Sequence, residues 1–501
     1  MMRLVLVLAF VLPVFSAAQE EHNHPAPEKL GTVSFPTSCK PEIQQEFNRA
    51  VALLHSFAYK SAEEAFQSVA ELDPQCAIAH WGIAMTHFHQ LWDLPPSSAD
   101  TSVAQKEIRQ AEMLEEASQR ERGFVHALSL LFEDAAAVPY STRALNYEAA
   151  MHELAVANPK DVEAQAFYAL ALISNASPSE KERRRQKQAA DLLEPLYREY
   201  PDHPGIPHYL IHACDNQELA SRGLAAARSY ANIAPSAPHA LHMPSHIFTR
   251  LGLWDDSIAS NLAARSAAQH QGDTGEELHA MDYLVYAYLQ RGRDQDAVRV
   301  IQQLKAMQNL DMGDFKIGYA ATAMPIRYIV ERQQWSDAEK VVNPPGSAQP
   351  HVVAIVIWAR GLGFARNGDA READKQSEAL RQIEDRLRAS RNGYWATQVD
   401  IMRREVVAWS AQAANKPDKA ATILRSAADD EDGIEKLPVT PGPIIPAREQ
   451  LGELLLEQGN ADLASKAFET ALVNAPGRRG ALQKAAHAAR SRCAPTRQRT
   501  H

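Results

Sequence analysis

Apolar side chains recur at every third or fourth position along nearly the whole chain, from about Pro41 to about Ala489. This spacing places them on one face of an α-helix, and alanine supplies many of them. No convincing stretch shows the strict alternation of apolar and polar residues that indicates a β-strand. The pattern therefore predicts an all-α protein.

Proline follows every second predicted helix in several parts of the chain. Because proline cannot continue a helix interior, each such proline marks the exit from a pair of helices. The dipeptides are Asp73-Pro74, Asn158-Pro159, Tyr200-Pro201, Ala234-Pro235 and Ala475-Pro476. One pair cannot bury its apolar face alone, so the pairs are expected to stack against one another.

The last helix pair has the most regular pattern of small and large residues. It contains Leu451, Gly452, Leu455, Gly459, Ala464, Phe468, Ala471 and Pro476, and the same register fits Tyr288, Gly292, Ala297 and Ile301, as well as Ala62, Phe66, Val69 and Pro74. These residues resemble the tetratricopeptide repeat (TPR) family. The resemblance implies a right-handed superhelical solenoid of about nine to ten TPR-like helix pairs, whose concave groove binds a peptide or protein.

The repeat pattern also suggests boundaries. We expect the TPR-like solenoid to occupy residues 43–490, with irregular insertions near residues 92–102 and 434–446, where prolines cluster. An N-terminal extension over residues 19–42 and a C-terminal tail over residues 491–501 flank it.

The start of the chain, residues 1–18, has the pattern of a secretory signal peptide. Arg3 precedes an apolar run over residues 4–15, and Ser16, Ala17 and Ala18 supply small residues for cleavage. No later apolar stretch is long enough to predict a membrane span. We therefore expect an exported bacterial protein, either periplasmic or secreted.

Export changes the interpretation of the four cysteines. A disulfide between Cys39 and Cys76 would hold the N-terminal segment against the third helix, whereas the alternative is two buried thiols. No Cys-x-x-Cys pair is present, which disfavours a cysteine zinc cluster.

The charge balance excludes one class of partner. The chain has 52 Lys and Arg against 62 Asp and Glu, giving a net charge of −10 without basic blocks. Such a chain is not expected to bind nucleic acid or an anionic membrane surface.

Histidine supplies the sharpest chemical pattern. Three consecutive first helices of the predicted pairs each have three polar residues along one face: His208, His212 and Asp215; His239, His242 and His246; His279, Asp282 and Tyr286. The step from His208 to His242 equals the step from His212 to His246, and both have the length of one repeat. The TPR register implies that all nine residues face the concave groove.

Six imidazoles on neighbouring helices favour a metal site. We expect His208, His212, His239, His242, His246 and His279 to supply ligands for one divalent transition metal such as Zn, Cu, Fe or Mn, because neutral imidazole suits these ions. Asp215 and Asp282 are candidate general bases. A polar pocket without metal and structural hydrogen bonding are the alternatives.

Two further residues are candidates for ligand binding. The dipeptide Met324-Pro325 repeats Met243-Pro244 further along the chain, so Arg327 takes the position that His246 has in the earlier helix. Arg327 could pair with a carboxylate or phosphate of a ligand, or form an ordinary salt bridge. Tyr286 shares the groove stripe with the third histidine helix.

A second histidine group lies near the start of the chain and comprises His55, His80, His87, His89 and Trp92. In one interpretation its aromatic residues belong to the core and its histidines are solvated. In the other, the superhelix curls back and this group lines one side of the predicted metal site or supplies a further ligand.

Two functions therefore remain open. The first is an exported TPR scaffold whose groove binds a peptide, protein or small ligand, with a His/Asp-lined site over residues 208–286. The second is a metal-dependent enzyme, hydrolase-like or an oxidoreductase, housed in the solenoid.

Overall fold

The computed structural model describes residues 28–91 and 95–493. Within these ranges the chain is helical and contains no β-strand, as the apolar periodicity predicts. The predicted signal peptide, residues 19–27 and Trp92, and residues 494–501 of the predicted tail lie outside the described residues. No helix in the described part is both long and apolar enough to cross a bilayer.

The helices of the first half, after a short 3-10 turn at Pro41–Ile43, are α1 (Gln44–His55), α2 (Tyr59–Leu72), α3 (Ala77–Thr86), α4 (Ser98–Met113), α5 (Gln119–Phe132), α6 (Tyr140–Ala157), α7 (Val162–Ser174), α8 (Arg184–Glu199), α9 (Gly205–Cys214), α10 (Leu224–Ile233), α11 (Pro238–His242) and α12 (Pro244–Arg250). Those of the second half are α13 (Trp254–Gln271), α14 (Thr274–Arg291), α15 (Asp294–Ala306), α16 (Phe315–Glu331), α17 (Trp335–Ala338), α18 (Pro350–Arg366), α19 (Ala370–Ala389), α20 (Gly393–Ala413), α21 (Pro417–Asp432), α22 (Ala447–Glu457), α23 (Ala461–Asn474) and α24 (Arg479–Cys493).

Successive helices pack against each other along the chain, as expected for a solenoid. If α11 and α12 are taken as one broken helix, α1 to α23 make eleven consecutive pairs in the described residues, and α24 follows the last pair. We call the first helix of each pair the A helix and the second the B helix. The number is slightly above the predicted nine to ten, because pairs such as α16 with the short α17 lack the regular motif residues.

Glycines in the A helices allow phenylalanines of the B helices to lie directly against the backbone. A Cβ atom placed on Gly452 would lie 2.6 Å from the Phe468 ring, far inside van der Waals contact, and one on Gly82 would collide with the Phe66 ring. Both phenylalanines are completely buried. The small and large residues of the repeat therefore act as the pattern predicts, through close contact between helices.

Two segments without regular structure complete the fold. Residues 434–446 run between α21 and α22 without a helix, and we call them the proline-rich segment. The insertion expected near residues 92–102 is shorter than predicted, because residues 98–102 form the first turn of α4.

The N-terminal segment over residues 28–40 is ordered by contacts with the repeats. Phe35 is completely buried and packs against Trp81 and Phe124. A disulfide joins Cys39 to Cys76, which precedes α3. The other described cysteine side chain, Cys214, is buried. The described part of the N-terminal extension is thus part of the core.

The Gly452–Phe468 contact gives a direct test of the helix packing. We expect Gly452→Ala to lower the free energy of unfolding by about 1–3 kcal/mol, because the added methyl group overpacks a closed interface. The matched control is Gly393→Ala, since no atom lies within 4 Å of the added Cβ at that helix start. Denaturant unfolding followed by circular dichroism measures both; equal stability of the two variants would contradict the packing described here.

Candidate metal centre

Six histidines from three consecutive A helices meet in the interior of the array. They form two groups in which the ligand nitrogens all lie within 4.8 Å of one another. We call His242, His246 and His279 the deep trio, and His208, His212 and His239 the mouth trio. Every one of the six residues is at most 6% exposed. The predicted stripes therefore converge, but in a buried position instead of on an open groove.

The two trios are built in the same way. Each takes two histidines four residues apart from one A helix and a third from the next A helix. His242 and His246 keep this spacing although Pro244 lies between them, because Met243 retains helical dihedral angles of φ −52° and ψ −37°. Residues four apart on a helix lie on one face, so each pair points its rings in one direction.

The deep trio brings two ring nitrogens into contact. Nε2 of His242 lies 3.0 Å from Nε2 of His246. The opposite nitrogen of each ring is used by the protein: His242 Nδ1 lies 2.6 Å from Asn261 Oδ1, and His246 Nδ1 lies 2.8 Å from Asp215 Oδ2. The His279 ring centroid is 4.2 Å from that of His242.

Asn261 fixes the proton on His242. The Asn261 amide nitrogen donates to the Ser257 carbonyl at 2.8 Å, so its oxygen is the atom that faces His242. An amide oxygen only accepts hydrogen bonds, and His242 Nδ1 must therefore be the donor. In the neutral ring, Nε2 of His242 therefore carries no proton, and it faces the other histidines of the deep trio.

Asp215 fixes His246 in the same way. Its carboxylate accepts from His246, from Arg250 Nε at 2.9 Å and from Lys436 Nζ at 2.6 Å. Burial raises the pKa of Asp215, but Lys436 and Arg250 outweigh this effect and hold it well below its usual range. Arg250 also donates to Glu435, so this network ties the proline-rich segment to the site.

The mouth trio has a related arrangement. His208 Nδ1 lies 2.6 Å from the His55 carbonyl oxygen, and its Nε2 lies 3.1 Å from Nε2 of His212. His239 Nδ1 lies 3.3 Å from the carboxylate of Glu276, which Lys316 also contacts at 2.6 Å. The trio therefore depends on α1 at the start of the chain as well as on the central repeats.

Aromatic side chains cover both trios. The Phe57 ring centroid lies 4.4 Å from His208 and 5.6 Å from His239. Tyr283 lies 4.7 Å from His242 by ring centroids, and its hydroxyl donates to Thr440 in the proline-rich segment at 3.2 Å. This explains why the histidines are buried: residues of the first helix pair and of the proline-rich segment lie against the helices that hold them.

Burial favours the neutral form of five of these imidazoles. It lowers the pKa of four of them well below the ordinary value of 6.5, and these are His208, His212, His242 and His279. For His246 burial lowers the pKa to about 4, although Asp215 opposes the shift. Neutral imidazole is the form that binds transition metals.

The two candidate general bases have different surroundings. Asp215 is a charged carboxylate engaged by three donors, so it orients His246 and is not available to take a proton. Asp282 belongs to neither trio. Burial raises the pKa of Asp282 to about 6, and the nearest cation is Arg327, 3.7 Å away.

The predicted ligand-binding pair also lies outside the trios. Arg327 is completely buried, donates to the Pro443 carbonyl at 2.9 Å and lies 4.7 Å over the Tyr286 ring. The Tyr286 hydroxyl lies 3.1 Å from Arg478 Nη1, which donates to it. Both residues therefore stabilise the interior beneath the proline-rich segment.

The histidines near the start of the chain divide between two roles. His80 pairs with Glu107 at 2.7 Å and His87 with Asp100 at 2.9 Å, away from the trios. His55 packs under the site, and its carbonyl holds His208. His89 lines a surface cavity beside Tyr59.

Sequence reasoning missed the residues that orient the histidines of the two trios. Asn261, Glu276 and Lys436 come from other helices or from the proline-rich segment and belong to no histidine stripe. Glu276 alone gave a signal, because it lies three residues before His279 on the same helix.

No protein-family model matches the chain, and no curated protein matches it. Solved structures similar to it include the P58(IPK) TPR domain, at 13% identity over 91% of this chain and 100% of that chain, with a TM-score of 0.24. The Cut9–Hcn1 hetero-tetramer of APC/C is 12% identical over 93% and 78%, with a TM-score of 0.33. Yeast Tom70 is 12% identical over 89% and 88%, with a TM-score of 0.31. TM-scores this low do not identify a function, and the all-helical fold class rests on the helices described above.

The Asp215 network predicts a large loss of stability on one substitution. Asp215→Asn removes a buried charge that neutralises Arg250 and Lys436, so the free energy of unfolding should fall by about 3–5 kcal/mol. The control is Asp255→Asn, which breaks the exposed pair with Arg291 and should change stability little. Thermal unfolding compares the variants, and an unchanged midpoint for Asp215→Asn would contradict the network.

Proposed function

We propose that this protein is an exported helical-repeat protein that binds a divalent first-row transition metal through the deep trio. The observation that carries the proposal is the contact between His242 Nε2 and His246 Nε2 at 3.0 Å. Asn261 and Asp215 each accept a proton from the opposite nitrogen of these rings. Two neutral rings held in this way would direct their lone pairs at each other, which is repulsive unless a cation lies between them.

The cation is either a proton or a metal ion. A proton would make one ring an imidazolium, and burial of the cluster opposes that charge. His279 brings a third imidazole to the same point. Three converging imidazoles are a ligand set for zinc, copper, iron or manganese, and thiolate ligands, which copper(I) prefers, are absent from the trio.

The nitrogen spacing also suits a shared ion. Ligand nitrogens about 2.0–2.1 Å from a metal, at angles near 95–110°, are about 3.0–3.4 Å apart from each other. The observed 3.0 Å falls at the lower end of that range. The hydrogen bonds to Asp215 and Asn261 supply the orienting contacts that metal-bound histidines require.

Three protein ligands leave room for a further ligand on the ion. A water molecule or a small substrate bound there would be polarised, which is the basis of a metal-dependent hydrolase or oxidoreductase. A cavity of about 840 Å³ opens beside His239 and would admit a small molecule. We therefore favour a metal-dependent small-molecule function over a peptide-binding groove, because the proline-rich segment covers the histidines.

The experiment that tests this proposal is metal analysis of the full mature chain. We expect wild-type protein that is depleted of metal and then dialysed against Co(II) or Zn(II) to retain bound metal. The variant His242→Ala/His246→Ala lacks two of the three deep-trio histidines and should retain less metal per chain. The control His126→Ala removes an exposed histidine from α5 and should retain the wild-type amount. Wild-type protein that binds no metal under these conditions would overturn the proposal.

Export is the second part of the proposal, and the disulfide supports it. Disulfides persist in oxidising compartments, and Cys39 and Cys76 are joined. Of the four cysteines, two would then react with a thiol reagent in denaturant, and four after reduction. Four reactive thiols before reduction, in protein recovered from outside the cytoplasm, would contradict this part of the proposal.

A further inference from the structure

We infer that the mouth trio, formed by His208, His212 and His239, binds a second divalent transition-metal ion, so that the protein holds a dinuclear centre. The inference extends the proposed function, since it assigns the same class of ion to a second set of imidazoles. It goes beyond the single metal that the sequence pattern predicts.

The geometry of the mouth trio repeats that of the deep trio one repeat earlier. The step along the chain from His208 to His242 is the same as the step from His212 to His246. In both trios the third imidazole comes from the next A helix, as His239 or His279. A helical array that builds one metal site by this rule builds the second one by the same rule.

The protonation of His208 is fixed by the backbone. A carbonyl oxygen only accepts, so His208 Nδ1 donates to the His55 carbonyl and leaves a lone pair on Nε2. That lone pair faces His212 Nε2 at 3.1 Å. The arrangement has nearly the same spacing as the His242–His246 contact and suits two ligands of one ion.

His239 completes the trio from the neighbouring helix. The Glu276 carboxylate contacts its Nδ1, and Lys316 contacts the other oxygen of the same carboxylate. A carboxylate behind a ligand histidine fixes the ring orientation and raises the basicity of the coordinating nitrogen. Glu276 thus takes the position relative to His239 that Asp215 takes relative to His246.

A third buried group shows what a satisfied histidine cluster looks like. His55, Glu163 and His203 also bring three potential ligand atoms within 4.8 Å. Here the carboxylate accepts from both rings, Tyr209 contacts His55 Nδ1, and His203 Nδ1 accepts from the backbone amide of Gly205. Every ring nitrogen has a protein partner, so this group carries no metal proposal and instead supports α1 beneath His208.

The two trios are direct neighbours. The ring centroids of His212 and His246 are 6.1 Å apart, and those of His239 and His242 are 6.2 Å apart. Two ions held by trios this close would lie side by side in one buried site.

The surface cavity offers an access route for the second ion. His239 belongs to the wall of the 840 Å³ cavity, together with Phe57. The wall contains the carboxylates of Glu28, Glu64, Asp273, Glu276 and Asp314 against the two lysines Lys60 and Lys316. A cleft with excess negative charge concentrates cations. This cavity reaches the mouth trio at His239.

Metal stoichiometry tests the inference. Full-length mature protein is depleted of metal, dialysed against Co(II), and assayed for cobalt per chain by elemental analysis and by native mass spectrometry. We expect two ions in the wild type and in His126→Ala, and one ion in His208→Ala/His212→Ala. Circular dichroism of each variant checks that it is folded.

The outcomes separate the two proposals. One ion in the wild type that persists in His208→Ala/His212→Ala and is lost in His242→Ala/His246→Ala would overturn the second site and leave the proposed function intact. No ion in the wild type would overturn both. If the mouth variant does not fold, the wild-type value of two or one still decides the question.

Discussion

Close contact between neighbouring A helices is the constraint on which the rest of the structure depends. It allows side chains that are one repeat apart in the chain, such as His212 and His246, to lie side by side in space. Glycines such as Gly82 and Gly452 bring the A and B helices together, because they leave room for phenylalanine rings of the B helices. Without close contact between the A helices, the histidines of different repeats could not lie within 4.8 Å of one another.

Burial then gives the site its chemistry. The first helix pair approaches α9 through His55 and Phe57, and the proline-rich segment approaches α12 through the contact of Glu435 with Arg250. Both coverings remove water from the imidazoles and favour their neutral form. Buried polar nitrogens need partners. Because Asn261 and Asp215 accept the protons behind the rings, the facing Nε2 atoms of His242 and His246 cannot satisfy each other without a cation between them.

The local part of this arrangement was predictable from the sequence, whereas its long-range part was not. The all-α class follows from the apolar periodicity, and the convergence of His208, His212, His242 and His246 follows from their spacing of one repeat. The surroundings of Asp215 and Asp282 could not be predicted, because a helical stripe does not reveal Lys436 or Arg327, which come from distant parts of the chain. Asn261 and Glu163 were missed for the same reason. Such contacts depend on the tertiary curvature of the array, and a single sequence gives no measure of that curvature.

X-ray absorption spectroscopy of the zinc-loaded mature protein tests the central claim most directly, since it reports the atoms around the ion without any substitution. The structure predicts nitrogen ligands at about 2.0–2.1 Å with outer-shell scattering from about three imidazoles per ion. A shell of oxygen ligands without imidazole scattering would contradict the claim that the converging histidines bind metal.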